Sequence, residues 1–189
     1  MMIRIGILGD IGSGKSFVAK LFGYPVFNAD YEVSKLYKKD KKIFIKLNKK
    51  LPKYIFKFPI DKNEITEAIL SNKNNLKKII NIIHKEIRKK MNLFLKKNKH
   101  KKIVILDIPL LLENKINNKK DILIFVDSKK KDIEKRLIKR NNFNRKLFNK
   151  FKKLQISSFN KKRKSHFIIK NDFKKKSVKN EIKQILKKI

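Results

Sequence analysis

The stretch "GDIGSGKS" (Gly9–Ser16) fits the pattern G-x-x-x-x-G-K-[ST], with Gly9, Gly14, Lys15 and Ser16 in the four fixed positions. Its flanks give the context such a loop requires. "IRIGIL" (Ile3–Leu8) is apolar and β-branched, and "SFVAKLF" carries Phe17, Val18, Leu21 and Phe22 at helical spacing, so the segment reads strand, loop, helix. Gly9, Gly12 and Gly14 let the backbone curl until successive N–H groups face one anion at the positive end of the helix. In that arrangement Lys15 reaches the β- and γ-phosphates of a nucleotide and the Ser16 hydroxyl completes a Mg²⁺ shell. A glycine turn between strand and helix is the plain alternative, but it seldom carries the whole pattern.

With 189 residues, 41% of them apolar, the chain is long enough for one α/β core with an inserted piece. It has no cysteine, which excludes disulfides and thiolate metal sites. The longest apolar run, "IVILDIPLLL" (Ile103–Leu112), is broken by Asp107 and is about half of the roughly 20 residues a membrane span needs. The first residues enter a strand directly, without the layout of an export signal, so a cytoplasmic protein with no membrane partner is expected.

Charge is the most conspicuous feature: 53 Lys and Arg against 16 Asp and Glu leave +37. Such a balance ordinarily suggests nucleic acid as a partner. Here, however, the lysines run along the whole chain with a parallel excess of Ile and Asn, residues that share A/T-rich codons. Drift in base composition explains that pattern without a polyanion, and runs such as "NKKRK" (Asn160–Lys164) and "SKKKD" (Ser128–Asp132) then read as solvated helix surface.

Strands are expected at Ile3–Leu8, Pro25–Asn28, Lys102–Leu106, Ile122–Val126 and Phe167–Ile169, with helical periodicity between them. This alternation predicts a parallel five-stranded sheet between helices. Tyr31–Lys101 lacks a strand. Within it "NNLKKIINIIHKEIRKKMNLFL" places Leu76, Ile79, Ile80, Ile83, Ile87, Met91 and Leu95 on one helical face, so residues 31–100 read as a helical insertion into a core of 1–30 and 101–189. Asn141–Phe148, polar and basic, suits a mobile flap. Open parallel sheets bind ligands at the carboxyl ends of their strands. Asp30 follows the second strand, where it could orient a phosphate acceptor or simply cap a helix. Asp107 ends the third, where an acid meets Mg²⁺ or serves a turn.

"GDIGSGKS", "NAD" (Asn28–Asp30), "LDIPLLLEN" (Leu106–Asn114), "RLIKR" (Arg136–Arg140), and Gln155 followed by lysines before "FIIKN" together resemble the dephospho-CoA kinase family, in order, from the first strand to about Asn171. The resemblance implies a P-loop kinase fold with a helical substrate domain and a lid near 140–150. It also implies transfer of the ATP γ-phosphate to the 3′-hydroxyl of dephospho-CoA. Residue by residue, it implies Asp30 as the group that orients or deprotonates the hydroxyl, with Lys15 and the lid arginine Arg140 as catalytic partners. Asp10, Ile11, Gly12, Ser13, Gly14, Lys15, Ser16, Phe17 and Asn171 would lie against ATP, and Asp30, His84 and Asp107 against the acceptor; Ser16 and Asp107 would hold Mg²⁺. Arg136 either joins the lid or packs its stem on the core, and His84 is as readily a structural histidine.

Four positions depart from the family pattern: Asn28 for the first Asp of D-A-D, Asp10 for a common glycine, Phe17 for a threonine, and Lys85 for a proline. Asp10 beside a phosphate cradle requires its side chain to face solvent. Another small-molecule kinase of the same architecture, or a nucleic-acid-dependent ATPase, stays open as an alternative. A nucleoside-monophosphate kinase would need arginines in the insertion, which carries only Arg88. A monomer is the favoured state.

Overall fold

The computed structural model describes residues 2–140 and 143–189. Element order is β1 (Ile3–Gly9), α1 (Lys15–Leu21), β2 (Val26–Asn28), α2 (Ala29–Lys39), α3 (Lys41–Lys50), α4 (Lys62–Ser71), α5 (Lys73–Lys97), β3 (Ile103–Asp107), β4 (Ile122–Asp127), α6 (Lys130–Ile138), α7 (Arg145–Leu154), α8 (Ser158–Arg163), β5 (Phe167–Lys170) and α9 (Lys175–Leu186). The chain divides into two compact units, one built from residues up to Asn28 together with Asn98–Ile189, the other from Ala29–Lys97.

In the first unit the strands pair in parallel in the order β2-β3-β1-β4-β5. Isoleucine and valine dominate them because both faces of a parallel sheet are buried. On one face Ile5, Ile7, Ile105, Ile124, Val126 and Ile169 pack against Val18, Ala19 and Phe22 of α1 and against Val178, Ile182 and Ile185 of α9. Phe17 packs on the same cluster, so the bulk at this position is taken up by the core while its backbone stays in the first turn of α1.

The segment between β3 and β4 departs from the helical expectation: it is a chain of turns. Pro109 disfavours helical geometry at Ile108, and Leu110 and Lys115 adopt left-handed φ of 58° and 49°. Leu111, 1% exposed, covers the sheet's other face at Gly6, where a Cβ would lie 2.6 Å from its Cδ2. Residues 145–148 of the expected flap are the first turn of α7, whose N-cap Asn144 accepts from Leu147 N at 2.9 Å; residues 141 and 142 lie outside the described residues.

In the second unit α5 packs against α2, α3 and α4. It buries Ile79, Ile83, Ile87 and Met91, a four-residue spacing that keeps one face inward. The Asn75 amide donates to Ala68 O at 3.0 Å and Ser71 Oγ at 3.2 Å, joining α4 to α5, while Glu32 of α2 lies 3.8 Å from Lys90 of α5. Among the described residues no helix is long and apolar enough to cross a membrane.

Candidate active site

The loop between β1 and α1 is held by its own backbone and by three neighbouring segments. Ser13 N donates to Asp10 O at 3.1 Å, and Lys15 Nζ donates to Gly9 O at 3.1 Å and Asp10 O at 2.8 Å. Gly12 (φ 87°) presses against α6, where a Cβ would come within 2.9 Å of Ile133 and 3.1 Å of Leu137. Gly14 (φ 89°) leaves no room either, since a Cβ would lie 2.4 Å from Asn171 Nδ2 and 2.9 Å from the Phe173 ring. Only glycine combines these backbone angles with such close approach. Gly14 starts α1 without a side-chain cap. The first-turn N–H groups of a helix have no intrahelical acceptor and form an anion seat.

Register brings the second cluster together. The pairing of β2 with β3 sets Asn28 opposite Asp107, and the Asn28 amide donates a short hydrogen bond to Asp107 Oδ2. The same Nδ2 lies 3.5 Å from Ser16 Oγ, so one amide gathers the serine and the carboxylate expected to hold a metal. Asp107 is 3% exposed. An aspartate at 28 would instead set two carboxylates against each other, which gives the departure at this position a physical role. Asp30 lies in the first turn of α2, two residues beyond the end of β2, exposed and already inside the helix, so it is not the N-cap residue.

Asn171, expected at the adenine, makes two hydrogen bonds within the chain. Nδ2 donates to Ser13 O at 2.8 Å and Oδ1 accepts from Phe173 N at 2.9 Å, in a residue 3% exposed. Ser128 Oγ donates to the same Ser13 carbonyl at 2.8 Å. Arg136 is exposed and its guanidinium stacks on the Phe173 ring at 4.1 Å. Arg140 is exposed just past α6, three residues beyond the Leu137 that touches Gly12.

Asp10 does not face solvent alone. Its carboxylate accepts a short bond from Ser158 Oγ and lies 3.4 Å from Lys161 Nζ, both on α8. Lys161 also lies 3.8 Å from Glu113, whose Oε1 accepts from Ile156 N at 3.0 Å. Within "NKKRK", therefore, Lys161 is buried at 3% exposure and does not belong to the solvated surface.

The family model for dephospho-CoA kinase matches residues 3–177. This chain belongs to the dephospho-CoA kinase family. It is 34% identical to the dephospho-CoA kinase of Wolbachia pipientis wMel, over 96% of this chain and 95% of that protein, and 33% identical to that of Fusobacterium nucleatum over 89% of each. A crystal structure from Thermus thermophilus superposes with a TM-score of 0.80 at 24% identity, covering 100% of this chain and 98% of that one. Dephospho-CoA kinase from Campylobacter jejuni gives 0.65 at 22% identity, covering 98% and 96%. These superpositions bear out the P-loop kinase fold, and the family is that of an ATP-dependent phosphotransferase.

His84 lies half-buried on α5 in the second unit. Burial and then the Arg88 guanidinium push its imidazole below the usual 6.5, so it is neutral near pH 7. Lys161, Glu113 and Ser158 carried no assigned role in the sequence reading. The only signal for them was position: Glu113 in "PLLLEN" and Lys161 six residues past Gln155, in pieces already quoted for the family.

Proposed function

We propose that the chain transfers the γ-phosphoryl group of ATP to the 3′-hydroxyl of dephospho-CoA, giving ADP and CoA. The observation that carries this reading is the convergence, at the carboxyl ends of β1, β2 and β3, of a glycine loop holding Lys15 with an oxygen cluster of Ser16, Asn28 and Asp107. The loop residues Asp10–Phe17 present N–H groups to the ATP phosphates, and the Lys15 ammonium moves from the loop carbonyls to the β- and γ-oxygens. Asp30 accepts the proton of the 3′-hydroxyl as its oxygen bonds to the γ-phosphorus and the bond to the β-phosphate bridge breaks. Arg140, beyond α6, spreads its planar fork over the transferring oxygens. By the family resemblance, His84 and Asp107 are the further residues assigned to the acceptor.

The donor set fits Mg²⁺. Ser16 Oγ and the Asp107 carboxylate are hard oxygen ligands, brought together by one amide, and no group of three or more His, Cys, Asp or Glu with metal-binding geometry occurs among the described residues. Ser16 and Asp107 would hold Mg²⁺, which commonly binds through one or two carboxylates together with substrate phosphates. When bound, it neutralises charge building on the β- and γ-oxygens. Asn171 braces the loop from behind, its Nδ2 donating to the Ser13 carbonyl and its Oδ1 accepting from Phe173 N.

An acceptor screen with ATP and Mg²⁺ tests the reading. Dephospho-CoA should be phosphorylated, and AMP, CMP and pantothenate should not. Preferential phosphorylation of a nucleoside monophosphate would overturn it in favour of a related kinase.

A further inference from the structure

We propose that Lys161 is a positioning residue that makes an acidic phosphate loop workable. Its buried ammonium neutralises Asp10 and Glu113 together and, with Ser158, fastens the loop's second residue to α8. The inference rests on the loop being the seat of the ATP phosphates. A carboxylate beside a polyphosphate weakens binding by like-charge repulsion, and this chain carries one at the loop's second position. A buried ammonium in turn needs opposite charge within reach, which Asp10 at 3.4 Å and Glu113 at 3.8 Å supply.

The connections are continuous. Ile156 N donates to Glu113, Glu113 faces Lys161, Lys161 faces the Asp10 carboxylate, and the Asp10 carbonyl accepts from Lys15 Nζ at 2.8 Å. Lys161 and Gln155 also line, with Gly9 and Lys15, one small pocket. Lys161 thus acts on the phosphates through Asp10 and Lys15, without touching them.

The test compares the unsubstituted chain, K161M, D10N and the D10N/K161M double variant, reading KM for ATP, kcat and the thermal midpoint. Loss of Lys161 removes the ion-pair partner of Asp10 in the phosphate loop, which should raise KM for ATP on the order of tenfold with a smaller change in kcat. D10N alone should lower KM, and the double variant should return to within about threefold of the unsubstituted chain. K161M with unchanged KM, or a double variant as weak as K161M, overturns the proposal and leaves the loop reading standing. Failure of the unsubstituted chain to bind ATP overturns both. Should K161M not fold, the triple variant D10N/E113Q/K161M removes all three charges and should fold and keep KM within about threefold. A triple variant that is unfolded, or that binds ATP tenfold more weakly, overturns the proposal.

Discussion

Asn171→Ala separates bracing of the loop from contact with the base. The substitution removes the bond to Ser13 O at 2.8 Å and the acceptor of Phe173 N at 2.9 Å, from a side chain 3% exposed. Ser13 O keeps Ser128 Oγ at 2.8 Å, so only the Phe173 amide loses its partner. Two hydrogen bonds at about 1 kcal/mol each, with a further ~1 kcal/mol for the truncated volume and the stranded amide, give about 3 kcal/mol. For a chain of this size that is a fall of about 6–12 °C in the thermal midpoint without nucleotide. Asn171→Asp has nearly the same shape but turns a carboxylate oxygen toward the Ser13 carbonyl, and should destabilise as much while keeping the bond from Phe173 N. Both should raise KM for ATP and GTP by similar factors, since the loop holds phosphates and not bases. Scanning calorimetry with steady-state kinetics on the two nucleotides decides it. Midpoints within about 1 °C of the unsubstituted chain, with a loss confined to ATP, would refute the reasoning and return Asn171 to the adenine.

Asn28→Asp sets two carboxylates together in place of an amide that donates to Asp107. Without metal the thermal midpoint should fall, by about 2 kcal/mol in stability; with Mg²⁺ part of it should return, and the Mg²⁺ concentration for half-maximal turnover should drop. Midpoints insensitive to both the substitution and the ion would count against the oxygen cluster as a metal seat. His84, with its pKa lowered by burial, binds a proton less readily folded than unfolded. Its contribution is therefore full above about pH 6.5 and declines as pH falls below that value. Urea midpoints at pH 7.5 and 5.5 should differ less in His84→Gln than in the unsubstituted chain; an equal difference would exclude His84 as a source.

The strands were legible because a buried parallel strand is written in β-branched residues, and the loop because its glycine spacing is bound to one geometry. What lay across the sheet was not. Asn28 and Asp107 are 79 residues apart, and only the register of β2 on β3 reveals that the residue-28 amide faces that carboxylate. Lys161 was hidden by composition: in a chain with this many lysines nothing local distinguishes the buried one. The segment after β3 is turns and not the expected helix because Pro109 and the left-handed Leu110 deny the helix, a backbone effect that apolar patterning does not show. Asp30 is different in kind, since its place in the first turn of α2 follows from chain order and its role from the family resemblance.

The most direct measurement is transfer of labelled γ-phosphate from ATP to dephospho-CoA by the unsubstituted chain and by Asp30→Asn, with ATP affinity determined in parallel. The account predicts ATP binding within about twofold and transfer lower by about 10²–10⁴-fold, the range for loss of a positioned base. Transfer at the unsubstituted rate would contradict it.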